Sequence, residues 1–101
     1  QAGTAIMDTI DLLRFSTNQT EYTIVDIRNN GEVKELPVFK NAIHIPLPEL
    51  RERVSEIPFN KPIIVHCAGG YRSAAGSSII NNAFGDKAKV YDLGESIKAF
   101  L

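Results

Sequence analysis

Ile63-Ile64-Val65-His66-Cys67-Ala68-Gly69-Gly70-Tyr71-Arg72-Ser73 is the stretch from which the rest of the chain can be read. An apolar, β-branched run ends at the one cysteine of the sequence, and a glycine-containing loop begins there. A continuous apolar run of this kind suits a strand covered on both faces, as in a parallel sheet. The spacing then predicts a helix over 73–84, with Ala75, Ile79, Ile80, Ala83 and Phe84 on one stripe and Gly85 as its stop. Strand, glycine loop and helix in that order form the repeating unit of α/β proteins.

The same alternation continues on both sides. Met7 to Phe15 carries apolar residues at helical spacing, and Ser16 to Thr20 is a polar break. Tyr22-Thr23-Ile24-Val25-Asp26-Ile27 reads as a buried strand, followed by the loop Arg28-Asn29-Asn30-Gly31. Glu32 to Leu36 is expected as a short helix stopped by Pro37, and Asn41 to Ile45 as a short strand closed by Pro46. Pro48 to Ile57 is expected as one helix, with proline in its first turn and Leu50, Val54 and Ile57 on one face. Lys89-Val90-Tyr91-Asp92-Leu93 is a further strand, and Glu95 to Leu101 a terminal helix.

The pattern defines an α/β domain with an open parallel sheet flanked by helices on both faces. Ligands in such sheets sit outside the carboxyl ends of strands. Cys67 and the Asp26–Arg28 loop both fall at such ends.

The bulk numbers restrict what this domain can be. With 101 residues the chain fits a single domain, 1–101, with one core. No internal repeat or low-complexity tract divides it. A net charge of -1 argues against nucleic acid or an anionic membrane as the partner. No apolar run approaches the roughly 20 residues of a membrane span, and the start lacks the basic and apolar regions of a signal peptide. One cysteine forms no internal disulfide, so a cytoplasmic location is expected. Asn18-Gln19-Thr20 matches a glycosylation sequon, a three-residue pattern that carries little weight in a chain without secretory features. The chain begins with Gln1, which suggests a domain of something longer.

The cysteine loop can be read as chemistry. Gly69 and Gly70 allow a tight turn whose backbone N–H groups point inward. The following helix adds the positive end of its dipole. Arg72 can fork two hydrogen bonds to an oxyanion. Together these features favour thiolate over thiol and define a cradle for a small anion. A lone cysteine makes neither a zinc knuckle nor a Cys-x-x-Cys redox pair, so no metal is expected. His44 or His66 could in principle serve a Cys–His protease. His66, however, adjoins Cys67 in a strand and should point to the opposite face. Two chemistries fit the cradle: transfer of a sulfane sulfur, or hydrolysis of a phosphate ester.

The stretch resembles the active-site loop of the rhodanese sulfurtransferases, here Cys67-Ala68-Gly69-Gly70-Tyr71-Arg72. Val25-Asp26-Ile27-Arg28 resembles the family's Asp-x-Arg element, and Asn41-Ala42-Ile43-His44-Ile45-Pro46 its Gly-Ala-Ile-Asn-Ile-Pro stretch. Val90-Tyr91-Asp92-Leu93-Gly94 resembles the start of its last strand and turn. The resemblance implies the rhodanese-like α/β fold with Cys67 as persulfide carrier and Arg72 orienting the anionic end of the donor. Ala68, Gly69, Gly70, Tyr71 and Ser73 would then line the anion-binding loop, braced by Asp26 and Arg28.

Spacing separates the two chemistries. Cysteine phosphatases have five residues between cysteine and arginine, whereas this chain has four, Ala68 to Tyr71. The shorter loop makes a tighter cradle, which the resemblance associates with sulfur. Three departures from the family pattern stand out. Pro37-Val38-Phe39 replaces Gly-His-Ile, Gly94-Glu95 replaces Gly-Gly, and Phe100 replaces a tryptophan, so the rim of the pocket is expected to differ. No second basic residue accompanies Arg72, which points away from thiosulfate and toward glutathione persulfide or a protein persulfide as donor.

The expected reaction is a sulfur transfer. The amides of residues 68 to 73 hold the thiolate, which attacks the outer sulfur of the donor and expels sulfite or a thiolate. A second thiol or cyanide then removes the sulfur. No cofactor is required. The expected partners are a small sulfur donor, a thiol acceptor and a fused or separate sulfur-handling enzyme. The loop wording also resembles rhodanese domains fused to persulfide dioxygenases or flavin disulfide reductases. A phosphatase or arsenate reductase, and a non-catalytic binding module, are the alternatives.

Overall fold

The computed structural model describes residues 4–6 and 9–101. Five strands make one sheet: β1 (Thr4–Ile6), β2 (Thr23–Asp26), β3 (Ile43–His44), β4 (Ile63–His66) and β5 (Val90–Asp92). Their order is β1-β5-β4-β2-β3, and every neighbouring pair is parallel. Among the described residues four α-helices connect them: α1 (Thr9–Thr17), α2 (Asn30–Glu35), α3 (Leu50–Arg53) and α4 (Tyr71–Phe84). The expected open parallel sheet is therefore present.

Strands β2 and β4 are buried along their whole length, which explains their largely apolar sequence. Successive side chains of a strand face opposite ways, so β4 sorts its residues into two cores. Ile63, Val65 and Cys67 share one core with Val25, Ile27, Leu50, Ile57 and Ile80. Ile64 shares the other with Phe15, Ile24, Phe39, Leu93 and Ile97. Each fully buried Ile, Leu or Phe contributes about 1.5–3 kcal/mol of transfer free energy. On the first face α4 lies very close to the sheet. A Cβ at Gly76 would stand 2.7 Å from Ile27 Cδ1, so only glycine lets the helix approach so far.

The departures from the sequence reading have local causes. β1 was not anticipated, because three residues at a sheet edge carry no readable periodicity. Met7, where the first helix was expected to begin, lies outside the described residues. The single helix expected over Pro48 to Ile57 is instead a 3-10 turn (Leu47–Glu49), α3, and a second 3-10 turn (Val54–Glu56). Pro48 lacks the N–H that a regular first turn would use, and the chain tightens around it. Residues Gly94–Phe100 form a 3-10 helix, entered through Gly94 at φ 59°. α4 begins at Tyr71, two residues ahead of the expected Ser73.

The strand expected over Asn41 to Ile45 is confined to Ile43–His44. The ladder nevertheless continues, because Ile45 N–H donates to Asp26 O at 3.0 Å and Leu47 N–H to Ile27 O at 3.1 Å.

Of the residues that depart from the family pattern, Val38, Phe39 and Phe100 settle into the second core, whereas Glu95 lines the cleft beside the cysteine loop. Phe39 is buried and Phe100 half-buried, with ring centroids 5.2 Å apart. Each packs against Phe15, at 5.4 and 5.7 Å. Aromatic pairs at such separations add about 0.5–1.5 kcal/mol each beyond the area they bury. Phe39 and Phe100 thus supply the apolar bulk on this face.

Candidate active site

The site grows from the carboxyl ends of β2, β4 and β5. β4 delivers Cys67 with 1% of its surface exposed, and the chain then turns so that α4 starts four residues later. The turn closes at Gly70, whose φ of 108° is open to glycine and strained for other residues. Gly70 N–H donates to Cys67 Sγ at 3.1 Å, and Ser73 N–H donates to the same sulfur at 3.3 Å. Burial pushes the Cys67 thiol up, but the amides of Gly70, Gly69 and Ser73 outweigh it and bring the thiol below its ordinary value. The lone cysteine is thus a sulfur already solvated by backbone.

Ser73 is built into this cradle. Its hydroxyl donates to Gly70 O at 3.1 Å, and its own carbonyl accepts from the Ser77 hydroxyl at 2.7 Å. Tyr71 is 93% exposed and projects from the loop. Ala68 and Gly69 complete the turn at partial exposure.

Asp26 and Arg28 meet as a buried pair. The Arg28 Nη2–Asp26 Oδ2 distance is 2.7 Å, and Arg28 Nε and N–H both donate to Asp26 Oδ1 at 3.0 Å. Burial would raise the Asp26 carboxyl, yet the Arg28 hydrogen bonds hold it below the usual carboxylate range. His44 Nε2 lies 2.7 Å from Arg28 O, so His44 fastens this loop from β3.

His66 points to the face opposite Cys67, as its place in the strand requires. It is fully buried, edge-on to Phe39 at 5.1 Å, with Nδ1 3.2 Å from Cys67 O and Nε2 3.7 Å from Asp26 Oδ2. Burial lowers its pKa, with Asp26 acting against that shift.

The Arg72 fork is occupied. Its Nη1 and Nη2 donate to Glu32 Oε1 and Oε2 at 2.6 and 2.9 Å. Glu32 in turn accepts from Asn29 N–H at 3.1 Å, while Asn29 Oδ1 accepts from Glu32 N–H at 2.9 Å. This capping box fixes the start of α2 and aims Glu32 at the cysteine loop. Arg72 holds the Glu32 carboxyl down at about 2. Sequence reasoning missed Glu32, although Asn29-Asn30-Gly31-Glu32 carries the signal: a capping residue with glutamate three positions on.

The third strand end contributes Asp92, whose Oδ1 accepts from Gly94 N–H at 2.8 Å. Between the cysteine loop and Gly94–Phe100 runs a cleft of about 380 Å³, lined by Gly69, Gly70, Tyr71, Gly94, Glu95 and Lys98 among others. Among the described residues no group of three or more His, Cys, Asp or Glu side chains is placed to hold a metal. None of their helices is long and apolar enough to cross a membrane.

A parallel α/β sheet presenting a backbone-solvated cysteine at a strand end is the frame of the site. Residues 9–101 match the rhodanese-like domain, and the chain belongs to that family. Among solved structures it is similar to a rhodanese-related protein from Thermoplasma volcanium, at 27% identity and TM-score 0.77, covering 94% of this chain and 88% of that one. It is also similar to an NAD-dependent persulfide reductase from A. fulgidus, at 35% identity and TM-score 0.65, covering 90% of this chain. The Bacillus anthracis CoADR-RHD matches at 26% identity and TM-score 0.70 over 96% of this chain. The chain spans only 15% and 16% of those last two proteins. No curated protein matches it significantly.

Proposed function

We propose that this domain is a sulfurtransferase that carries sulfane sulfur as a persulfide on Cys67. The observation that carries the reading is the pair of N–H groups, from Gly70 and Ser73, directed at Sγ in a site that lowers the thiol's pKa. Such donors stabilise a thiolate before reaction and a terminal persulfide anion after it. The thiolate attacks the outer sulfur of the donor, and sulfite or a thiolate leaves with the electron pair of the broken bond. A thiol or cyanide then takes the sulfur, which makes the kinetics ping-pong. Asp26 and Arg28 hold the neighbouring loop still, and Arg72 ties the start of α4 to α2 through Glu32.

The likeness to a persulfide reductase supports a persulfide donor and a larger sulfur-handling partner, fused or separate. A cytoplasmic location belongs to the same proposal.

The test is the intact mass of the protein after thiosulfate or glutathione persulfide, followed by cyanide. The reading expects a gain of one sulfur on Cys67, released as thiocyanate, and no gain in Cys67→Ser. An unloaded but alkylatable thiol after both donors would overturn it.

A further inference from the structure

The carboxyl edge of the sheet carries two guanidinium groups, and each is held by a carboxylate. Arg28 is enclosed with Asp26, the two side chains being 3% and 4% exposed. Arg72 is held on both terminal nitrogens by Glu32. The cleft beside the loop adds Asp92, Glu95 and Lys98, two acids against one base. Both guanidinium groups at this edge are therefore matched by a carboxylate, while Lys98 shares the cleft lining with Asp92 and Glu95. At the sulfur an incoming anion meets the N–H groups of Gly70 and Ser73, which accommodate one sulfur, and neither guanidinium is left for flanking oxyanions.

From this arrangement we propose that Glu32 selects the donor. By taking the Arg72 fork, it tunes the loop for a persulfide R–S–SH and against thiosulfate, which brings sulfonate oxygens alongside the reacting sulfur. This rests on the sulfurtransferase reading above. In the favoured step, Cys67 Sγ as thiolate bonds to the outer sulfur of R–S–SH and the donor S–S bond breaks. The electron pair leaves with R–S, which takes up the proton of the outer sulfur, giving R–SH and the Cys67 persulfide anion. With thiosulfate the leaving group is sulfite, whose charge builds where Glu32 has neutralised the one suitable guanidinium. Glutamine at position 32 would keep the hydrogen bond to Asn29 N–H, since Gln serves a capping box as Glu does. It would release Arg72 from its ion pair.

The experiment measures single-turnover loading of Cys67 by mass, with glutathione persulfide and thiosulfate as separate probes, in wild type, Glu32→Gln and Glu32→Gln/Arg72→Gln. Wild type should load faster from the persulfide. Glu32→Gln should raise the thiosulfate rate constant about tenfold while the persulfide constant changes little, and the double variant should lose that gain. A merely structural Glu32 would lower both rates together, and that result overturns the proposal. So does a wild type that prefers thiosulfate.

Wild-type loading from the persulfide should also resist added sulfate, a readout that needs no variant. Competition by sulfate at low millimolar concentration overturns the selection. If wild type loads from neither donor, the sulfurtransferase reading itself falls, and this inference with it.

Discussion

Gly70 abuts Glu95: a Cβ built on Gly70 would lie 3.0 Å from the backbone nitrogen of Glu95 and 3.0 Å from Gly94 C. The cysteine loop is thereby seated against the turn that follows β5. Gly70→Ala meets that wall and also the positive φ of 108°. The variant should lose roughly 1–3 kcal/mol of stability in urea unfolding, the cost of strained backbone. The displaced Gly70 N–H should also raise the thiol pKa, read from the ultraviolet absorbance of the thiolate against pH.

The lowered thiol of Cys67 makes a statement about stability. The unfolded chain holds its thiol proton up to the ordinary value, whereas the folded chain releases it earlier. Between those two points the unfolded state binds more protons, so stability rises with pH. The contribution is fully present above the ordinary thiol pKa and is lost as pH falls through the lowered one. Denaturant titrations of wild type and Cys67→Ala should diverge with rising pH across that window. Parallel curves would contradict it.

His66 gives a trend at lower pH. Burial holds its folded pKa down, so below the ordinary histidine value the unfolded state takes up a proton that the folded state refuses. Stability should fall as pH drops through that range. Its Nε2 has no hydrogen-bond partner among the described residues, so His66→Phe, edge-on to Phe39, removes a titrating group without breaking a bond at that atom. The variant should show a flatter stability profile between pH values on either side of the ordinary histidine pKa.

Gly76 tests how tightly α4 is seated. Alanine would add about 1 kcal/mol of helix propensity but place a methyl 2.7 Å from Ile27 Cδ1, with Val65 Cγ1 and Leu50 Cδ2 at 3.4 and 3.5 Å. Overpacking of this kind costs about 1–3 kcal/mol. Gly76→Ala should therefore be neutral to destabilising in thermal unfolding. Ile27→Val, which removes the Cδ1 methyl, should make the same Gly76→Ala change less costly. The double-mutant cycle measures that coupling.

The legible parts of the chain were those where burial and backbone geometry act on the same residues. β4 must be apolar on both faces, and a cysteine followed by two glycines at its end left few readings open. The 3-10 segments and β1 were not legible, because a few residues without a repeating face carry no period. Phe39 and Phe100 were read as changes to the rim, yet they lie in the aromatic core beneath the sheet, a distinction that only packing makes. Glu32 was passed over because its partner stands forty positions away in the sequence. Its helix-capping role was visible, but the target of its carboxylate was not.

The seating of Gly70 on Gly94–Glu95 also bears on how the protein comes into being. Synthesis proceeds from the amino end, so Cys67 leaves the ribosome well before the segment that supports its loop. Before β5 joins β4, the turn lacks the Gly94–Glu95 backbone on which Gly70 rests. The cradle that holds the sulfur is thus a property of the finished sheet, since the turn carrying Gly70 N–H rests on residues that follow the last strand.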